Sequence, residues 1–173
     1  GEVQARMVFA WQSAPAPDLV RLAMDVSRQM HLLGLVLAFE EIFAKGGSTD
    51  YAGDIAPLAA RIDWLLNWML LSEETDGIHD LVAHPIVLTP TTACWVTDRP
   101  VFPGEWGVLR LYPDVRLARP VTFWAEIETT QPVAEGWEIR AQWRGHSKEN
   151  SDLFEKLLFR LHRQEVALAR QKN

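Results

Sequence analysis

The hydrophobic pattern of this chain switches period along its length, and those switches limit what it can fold into. From residue 18 to residue 74 apolar residues recur every three or four positions; from Ile78 to Arg144 the period is two, and it returns to three or four in a last segment. The first spacing lines one face of a helix, the second one face of a strand. Val121 to Thr130 alternates cleanly, with Val121, Phe123, Ala125 and Ile127 on one side and Thr122, Trp124, Glu126 and Glu128 on the other. Trp137 to Arg144 does the same, setting Trp137, Ile139, Ala141 and Trp143 against Glu138, Arg140, Gln142 and Arg144. Ile86 to Leu88, Ala93 to Val96 and Trp106 to Tyr112 are shorter strands, the last placed after a Pro103-Gly104 turn. Val3 to Trp11 is β-prone and alternating, a first strand ahead of the helical block. Several short strands at close spacing predict a small antiparallel barrel or sandwich.

The helical block begins at Asp18, a good N-cap after Pro17, and its first helix runs to Lys45, stopped by Gly46-Gly47. Leu19, Leu22, Val26, Met30, Leu33 and Leu37 make its apolar stripe. Gly34 inside it weakens the helix or lets another backbone approach. A second helix is expected over Asp54 to Glu74. Leu58, Ile62, Leu65 and Met69, after Ile55, follow the 3-4 spacing of a coiled-coil seam. With Leu66, Leu70, Trp64 and Trp68 this surface is wider than one partner helix needs. The hairpin either packs on its own domain or also packs on copies of itself. A last helix, capped by Ser147 or Ser151, buries Leu153, Phe154, Leu157, Leu158 and Leu161 and is mostly polar beyond Arg163.

Composition narrows the function classes. A net charge of −6 argues against nucleic acid as a general partner, which needs a basic face. One cysteine in 173 residues excludes an internal disulfide and suits the cytoplasm. The most apolar run, Leu32 to Phe39, is too short to span a bilayer. No signal-peptide pattern is visible, and Gly1 suggests trimming.

The corner Leu88 to Trp95 gathers a proline, three threonines and the lone thiol between two apolar runs. Cys94 as a nucleophile would need a base and an electropositive pocket, and nothing marks His84 as that base. His79 and His84 are five apart, which fits no metal spacing. The pairs Glu40-Glu41 and Glu73-Glu74 fall on or at the end of helices as solvated acids. No catalytic residue, cofactor or metal site is expected.

The order of elements from Pro85 onward resembles the PilZ domain, the bacterial receptor module for cyclic di-GMP. The family's turn D/N-x-S-x-x-G has its counterpart in Thr89-Pro90-Thr91-Thr92-Ala93-Cys94. Trp95-Val96, Asp98-Arg99-Pro100, Phe102-Pro103-Gly104, Val108 to Leu111 and Val121 to Ile127 follow in family order. Glu138 to Trp143 and Gly145-His146-Ser147 then lead into the last helix. The match covers about ninety residues. The departures bear on the ligand. PilZ receptors clamp the phosphates and stack on guanine with R-x-x-x-R just before the barrel. Here Gly77 to His84 holds no arginine, Thr89 stands where Asp or Asn belongs, and Cys94 replaces the glycine. Thr91 alone keeps a hydroxyl at its place. An R-x-x-x-R string, Arg140 to Arg144, sits instead on a late strand.

The whole pattern resembles the non-standard PilZ subgroup, in which heptad-bearing helices are added to a degenerate barrel and drive oligomers, often tetramers. That resemblance implies one α+β domain over 1–173: a first strand at about 3–11, a helical insertion at about 18–74, the rest of a small antiparallel barrel at about 78–145, and a C-terminal helix at about 147–170. It implies an oligomeric adaptor that assembles through Leu58, Ile62, Leu65 and Met69 and meets a further protein partner, with cyclic di-GMP binding weak or absent. The alternative is a receptor whose phosphates are held by Arg99, Arg140 or Arg144. Trp124, on the polar side of its strand, and Trp106 are either contact points or covered by the helical insertion.

Overall fold

In the computed structural model, residues 1–45, 82–113 and 120–171 are described. Six strands form a closed barrel: β1 (Val3–Ser13), β2 (His84–Leu88), β3 (Thr92–Thr97), β4 (Trp106–Tyr112), β5 (Val121–Val133) and β6 (Gly136–Trp143). Around it the chain order is β1-β2-β3-β6-β5-β4, and every neighbouring pair is antiparallel. Among the described residues two helices join them, α1 (Leu19–Lys45) after β1 and α2 (Lys148–Gln171) after β6. The chain divides into two compact units, Gly1–Gly34 with Val82–Asn173, and Leu35–Leu81. The first holds the whole barrel. Of the second, the described part is the C-terminal portion of α1. The helix expected over Asp54 to Glu74, with its seam Leu58, Ile62, Leu65 and Met69, lies outside the described residues.

The barrel closes because β1 changes partner midway. Val3 to Met7 pair with β2 in the register Val3↔Leu88, and Val8 to Ser13 pair with β4 in the register Val8↔Tyr112. One strand thus seams both edges, and no long exposed edge is left between them to recruit another chain. The alternation read from the sequence fixes what fills the interior. Ala5, Met7, Ile86, Leu88, Ala93, Trp95, Leu109, Leu111, Phe123, Ile127, Ile139 and Ala141 are all buried. Gly107 is required by its neighbours on β1. A Cβ there would meet the Trp11 ring and lie 2.5 Å from the Gln12 carbonyl. The indole occupies the space a side chain would take.

α1 starts as the sequence predicts: the Asp18 carboxylate accepts the Arg21 N–H at 2.8 Å. Leu22, Val26, Met30 and Leu33 are buried. Leu19 is the exception to the expected stripe, being 84% exposed. It opens the helix, one turn before the burial begins at Leu22. Gly34 admits no backbone; a Cβ there would only touch Leu153 at 3.9 Å. α1 also packs at Gly145, where φ is +79° and a Cβ would press on Val26 and Leu22 at 2.8 and 2.9 Å. Ser147 caps α2, its hydroxyl accepting the Asn150 N–H at 3.4 Å. Of the predicted stripe Phe154, Leu157, Leu158 and Leu161 are buried, while Leu153 is half-buried. α2 lies against β1, where Glu165 accepts the Arg6 N–H at 3.3 Å.

Candidate functional site

The turn joining β2 to β3 stands where the family resemblance puts the ligand. Its first residue organises it. The Thr89 hydroxyl oxygen accepts the N–H of Thr91 at 3.2 Å and of Thr92 at 2.9 Å. It sits 2.9 Å from the Thr92 hydroxyl and 3.3 Å from the Thr92 carbonyl. The Thr89 N–H donates to that carbonyl at 2.9 Å. A threonine hydroxyl that bonds backbone two and three residues on is an ordinary turn device. The turn is then tied to the end of β6. The Trp143 N–H donates to the Thr91 carbonyl at 3.0 Å, and its indole Nε1–H donates to the Thr89 carbonyl at 3.0 Å. The hydroxyl bonding of the turn is thus made chiefly by Thr89, while Thr91, whose hydroxyl is 3.4 Å from that of Thr89, is exposed.

Cys94 lies on β3 opposite Val87 of β2 and Arg140 of β6. It is half-buried. Burial first, then the charge of Glu138, pushes its thiol up, and Arg140 offsets this only in part. A thiol held protonated is a poor nucleophile.

The three candidate arginines do not converge. Arg140 is exposed in the middle of β6. Arg144 is engaged: its Nη2 is 2.6 Å and its Nε 2.9 Å from Glu126 Oε2, and its guanidinium lies 5.9 Å from the centre of the Trp106 ring. A partly buried, doubly bonded guanidinium is neutralised before any phosphate arrives. Arg99 follows β3 at the other end of the barrel, near Thr97, which pairs with Trp137 at the start of β6. At about 3.3 Å per residue, the length of β6 sets Arg99 roughly 20 Å or more from Arg144. Among the described residues no group of three or more His, Cys, Asp or Glu could hold a metal ion.

Of the two readings left open for Trp124 and Trp106, the structure selects the covered one for Trp124. Trp124 is not an exposed contact point. It is 8% exposed, and its Nε1–H donates to Asp25 of α1 at 3.1 Å, so the helix covers the outer face of β5. Gln29, one turn on, accepts the Thr122 N–H at 3.2 Å. Trp106 is half-buried beside Arg144. The sequence carried no sign that Glu126 would neutralise Arg144, because such a pair depends on register between strands that only the closed barrel fixes.

His146 escaped sequence reasoning as well. It stacks with Phe123 at 5.7 Å and Trp143 at 6.4 Å and meets Phe154 edge-on at 5.9 Å. Both of its ring nitrogens are buried with no hydrogen-bond partner, and burial pulls its pKa down. The only signal available was its place between a left-handed glycine and a helix cap.

No family model and no curated protein matches the sequence. Comparison of folds does find a match. The chain is similar to the crystal structure of a pathogenic protein from Xanthomonas campestris, described as a new tetrameric PilZ domain self-assembled via an unusual helical bundle. Identity is 16%, the match covers 96% of this chain and 90% of that one, and the TM-score is 0.76. The chain therefore has the PilZ fold.

Proposed function

We propose that this PilZ-fold chain is a non-enzymatic, oligomeric adaptor in cyclic di-GMP-linked bacterial signalling, working in the cytoplasm through protein contacts. The observation that carries the proposal is the Thr89 turn. Its hydroxyl is spent on the N–H groups of Thr91 and Thr92, and its carbonyls on Trp143. A guanine edge would find no carboxylate there, and the Cys94 side chain stands where the family leaves bare backbone. Two further facts agree. The stretch before β2 contributes no arginine, and Arg144 already belongs to Glu126. The tetrameric assembly described for the Xanthomonas campestris protein supports self-association here, through the seam Leu58, Ile62, Leu65 and Met69.

Calorimetric titration with cyclic di-GMP tests the ligand half of the proposal. No saturable heat is expected up to high micromolar ligand. Tight, saturable binding would overturn it in favour of a receptor built on Arg99, Arg140 or Arg144. Light scattering tests the other half, with a species larger than one chain expected.

A further inference from the structure

Phe102 leaves 70% of its surface in solvent, although the turn that carries it is firmly held. The Phe102 carbonyl accepts the Glu105 N–H at 3.0 Å, and its own N–H donates to the Glu105 carboxylate at 3.4 Å. The Gly104 N–H donates to the Ile127 carbonyl at 2.8 Å, and the Ile127 N–H to the Glu105 carbonyl at 2.9 Å. The Val101 carbonyl accepts the Thr130 hydroxyl. Backbone groups of this turn thus bond to β5 and to each other, while the phenyl ring is left outside. An aromatic side chain on a fixed backbone loses little freedom when covered, which is the property of an interface anchor.

A second apolar side chain stands at the same end of the barrel. The β5–β6 hairpin runs past an irregularity at Ile127/Thr129 to Val133, which is 39% exposed. The segment after β3 is packed along this hairpin. A Cβ on Gly136 would collide with the Thr97 carbonyl and lie 3.6 Å from the Asp98 Cα. The β3–β4 connection and the hairpin therefore make one braced tip.

Its charge is one-sided. Residues 96–105 and 128–138 carry five carboxylates and a single guanidinium, Arg99, in a chain whose whole net charge is −6. Glu105 is used within the turn, but Asp98, Glu128, Glu135 and Glu138 are exposed. Another exposed apolar patch, Leu19, Val20 and Met24 on α1, has both signs around it in Asp18, Arg21 and Asp25, and so selects no charge; Phe159 on α2 is also exposed, but its ring lies under the Arg163 guanidinium. An apolar centre inside a rim of exposed acids selects a partner with a pocket for the ring and lysines or arginines around it. It repels nucleic acid and the same tip of a second copy, which would set acid against acid.

We infer that this tip, with Phe102 as anchor, docks a basic segment of a partner protein. This rests on the adaptor reading and names the surface through which the adaptor would act.

The test uses the full ¹⁵N-labelled chain and two synthetic amphipathic peptides of the same apolar pattern, one carrying lysine and arginine, its twin carrying glutamate. The basic peptide is expected to shift amides of residues 98–105 and 128–138, and the acidic twin to shift none. Phe102→Ala, a change at an exposed side chain, should weaken the basic peptide at least tenfold. Glu135→Lys with Glu138→Lys should do so by a similar factor. Shifts centred on Leu19 to Met24, shifts spread over the surface, indifference to Phe102→Ala, or no shifts at all would each overturn the inference. So would a smaller species on light scattering for Phe102→Ala, since the ring would then be a contact between copies. Cyclic di-GMP titration of the same sample judges the adaptor reading separately. No ligand heat together with a silent tip would leave that reading standing and remove this one.

Discussion

The indole Nε1–H of Trp124 donates to the carboxylate of Asp25 at 3.1 Å, and this bond pins α1 to the outer face of β5. Trp124 is 8% exposed, so its N–H has little water to turn to if the acceptor is lost. Asp25→Ala should therefore lower stability by about 1–2 kcal/mol, the cost of orphaning a mostly buried donor. Asp25→Asn keeps an acceptor oxygen and should cost less. The pair that Asp25 makes with Arg21, at 3.9 Å and largely exposed, adds little to either figure. Urea midpoints of the two variants give the comparison; equal losses would mean that the charge matters and the indole bond does not.

The turn makes a second prediction. Thr89→Val removes the oxygen that accepts two backbone N–H groups and should destabilise by about 1 kcal/mol. Thr89→Asp with Cys94→Gly restores the family's residue types at both positions. That double variant should still give no saturable heat with cyclic di-GMP, because no arginine stands in the stretch before β2 and Arg144 is held by Glu126. Binding by the double variant would show that the clamp is dispensable.

Gly107→Ala should be among the most damaging small substitutions in the barrel. Its Cβ has the Trp11 ring on one side and the Gln12 carbonyl 2.5 Å away on the other. Backbone cannot yield there without breaking the β1–β4 register. Overpacking of this kind costs about 1–3 kcal/mol. Thermal unfolding measures it, and adding Trp11→Leu to the alanine variant should recover part of the loss by giving the methyl room.

Much of this fold was legible from period alone. Val121 to Ile127 and Ile139 to Ala141 alternate because one side of each strand faces the barrel interior, and that constraint is written residue by residue. The helix caps at Asp18 and Ser147 are local too, since each acceptor sits three residues from its donor. Trp124 could not be placed that way. Alternation assigns it to the outer face correctly, but whether that face is wet depends on where α1 lies. Leu19 erred in the other direction: its spacing fits the stripe, yet it lies exposed in the first turn, ahead of the first buried position at Leu22. The same limit hid the candidate site. Thr89, Thr91 and Cys94 were identified by order along the chain, whereas the pairing of Arg144 with Glu126 arises from strand register.

The seam Leu58, Ile62, Leu65 and Met69 carries the assembly prediction. Ile62→Glu with Leu65→Glu should shift the light-scattering mass downward, because burying two unpaired charges costs several kcal/mol. Circular dichroism must show the barrel intact for the result to count, and retention of the parent mass with an intact fold would remove the seam from the interface.

His146 gives the protein a pH dependence whose sign follows from its setting. Burial among Phe123, Trp143 and Phe154 opposes the imidazolium, so the folded pKa lies below the ordinary 6.5, to which the unfolded chain returns. Above that value both states are neutral, and the site leaves stability unchanged with pH. As pH falls below about 6.5 the unfolded chain takes up the proton first, and stability drops until the folded form is protonated as well. His146→Phe keeps an aromatic ring in the stack and removes both orphaned nitrogens. It should raise stability at neutral pH, since an unpaired buried donor or acceptor costs about 1–3 kcal/mol. It should also flatten the loss on acidification between pH 6.5 and 5. Urea unfolding of parent and variant across that range measures both effects, and parallel curves would mean that His146 takes up its proton equally well in the folded chain.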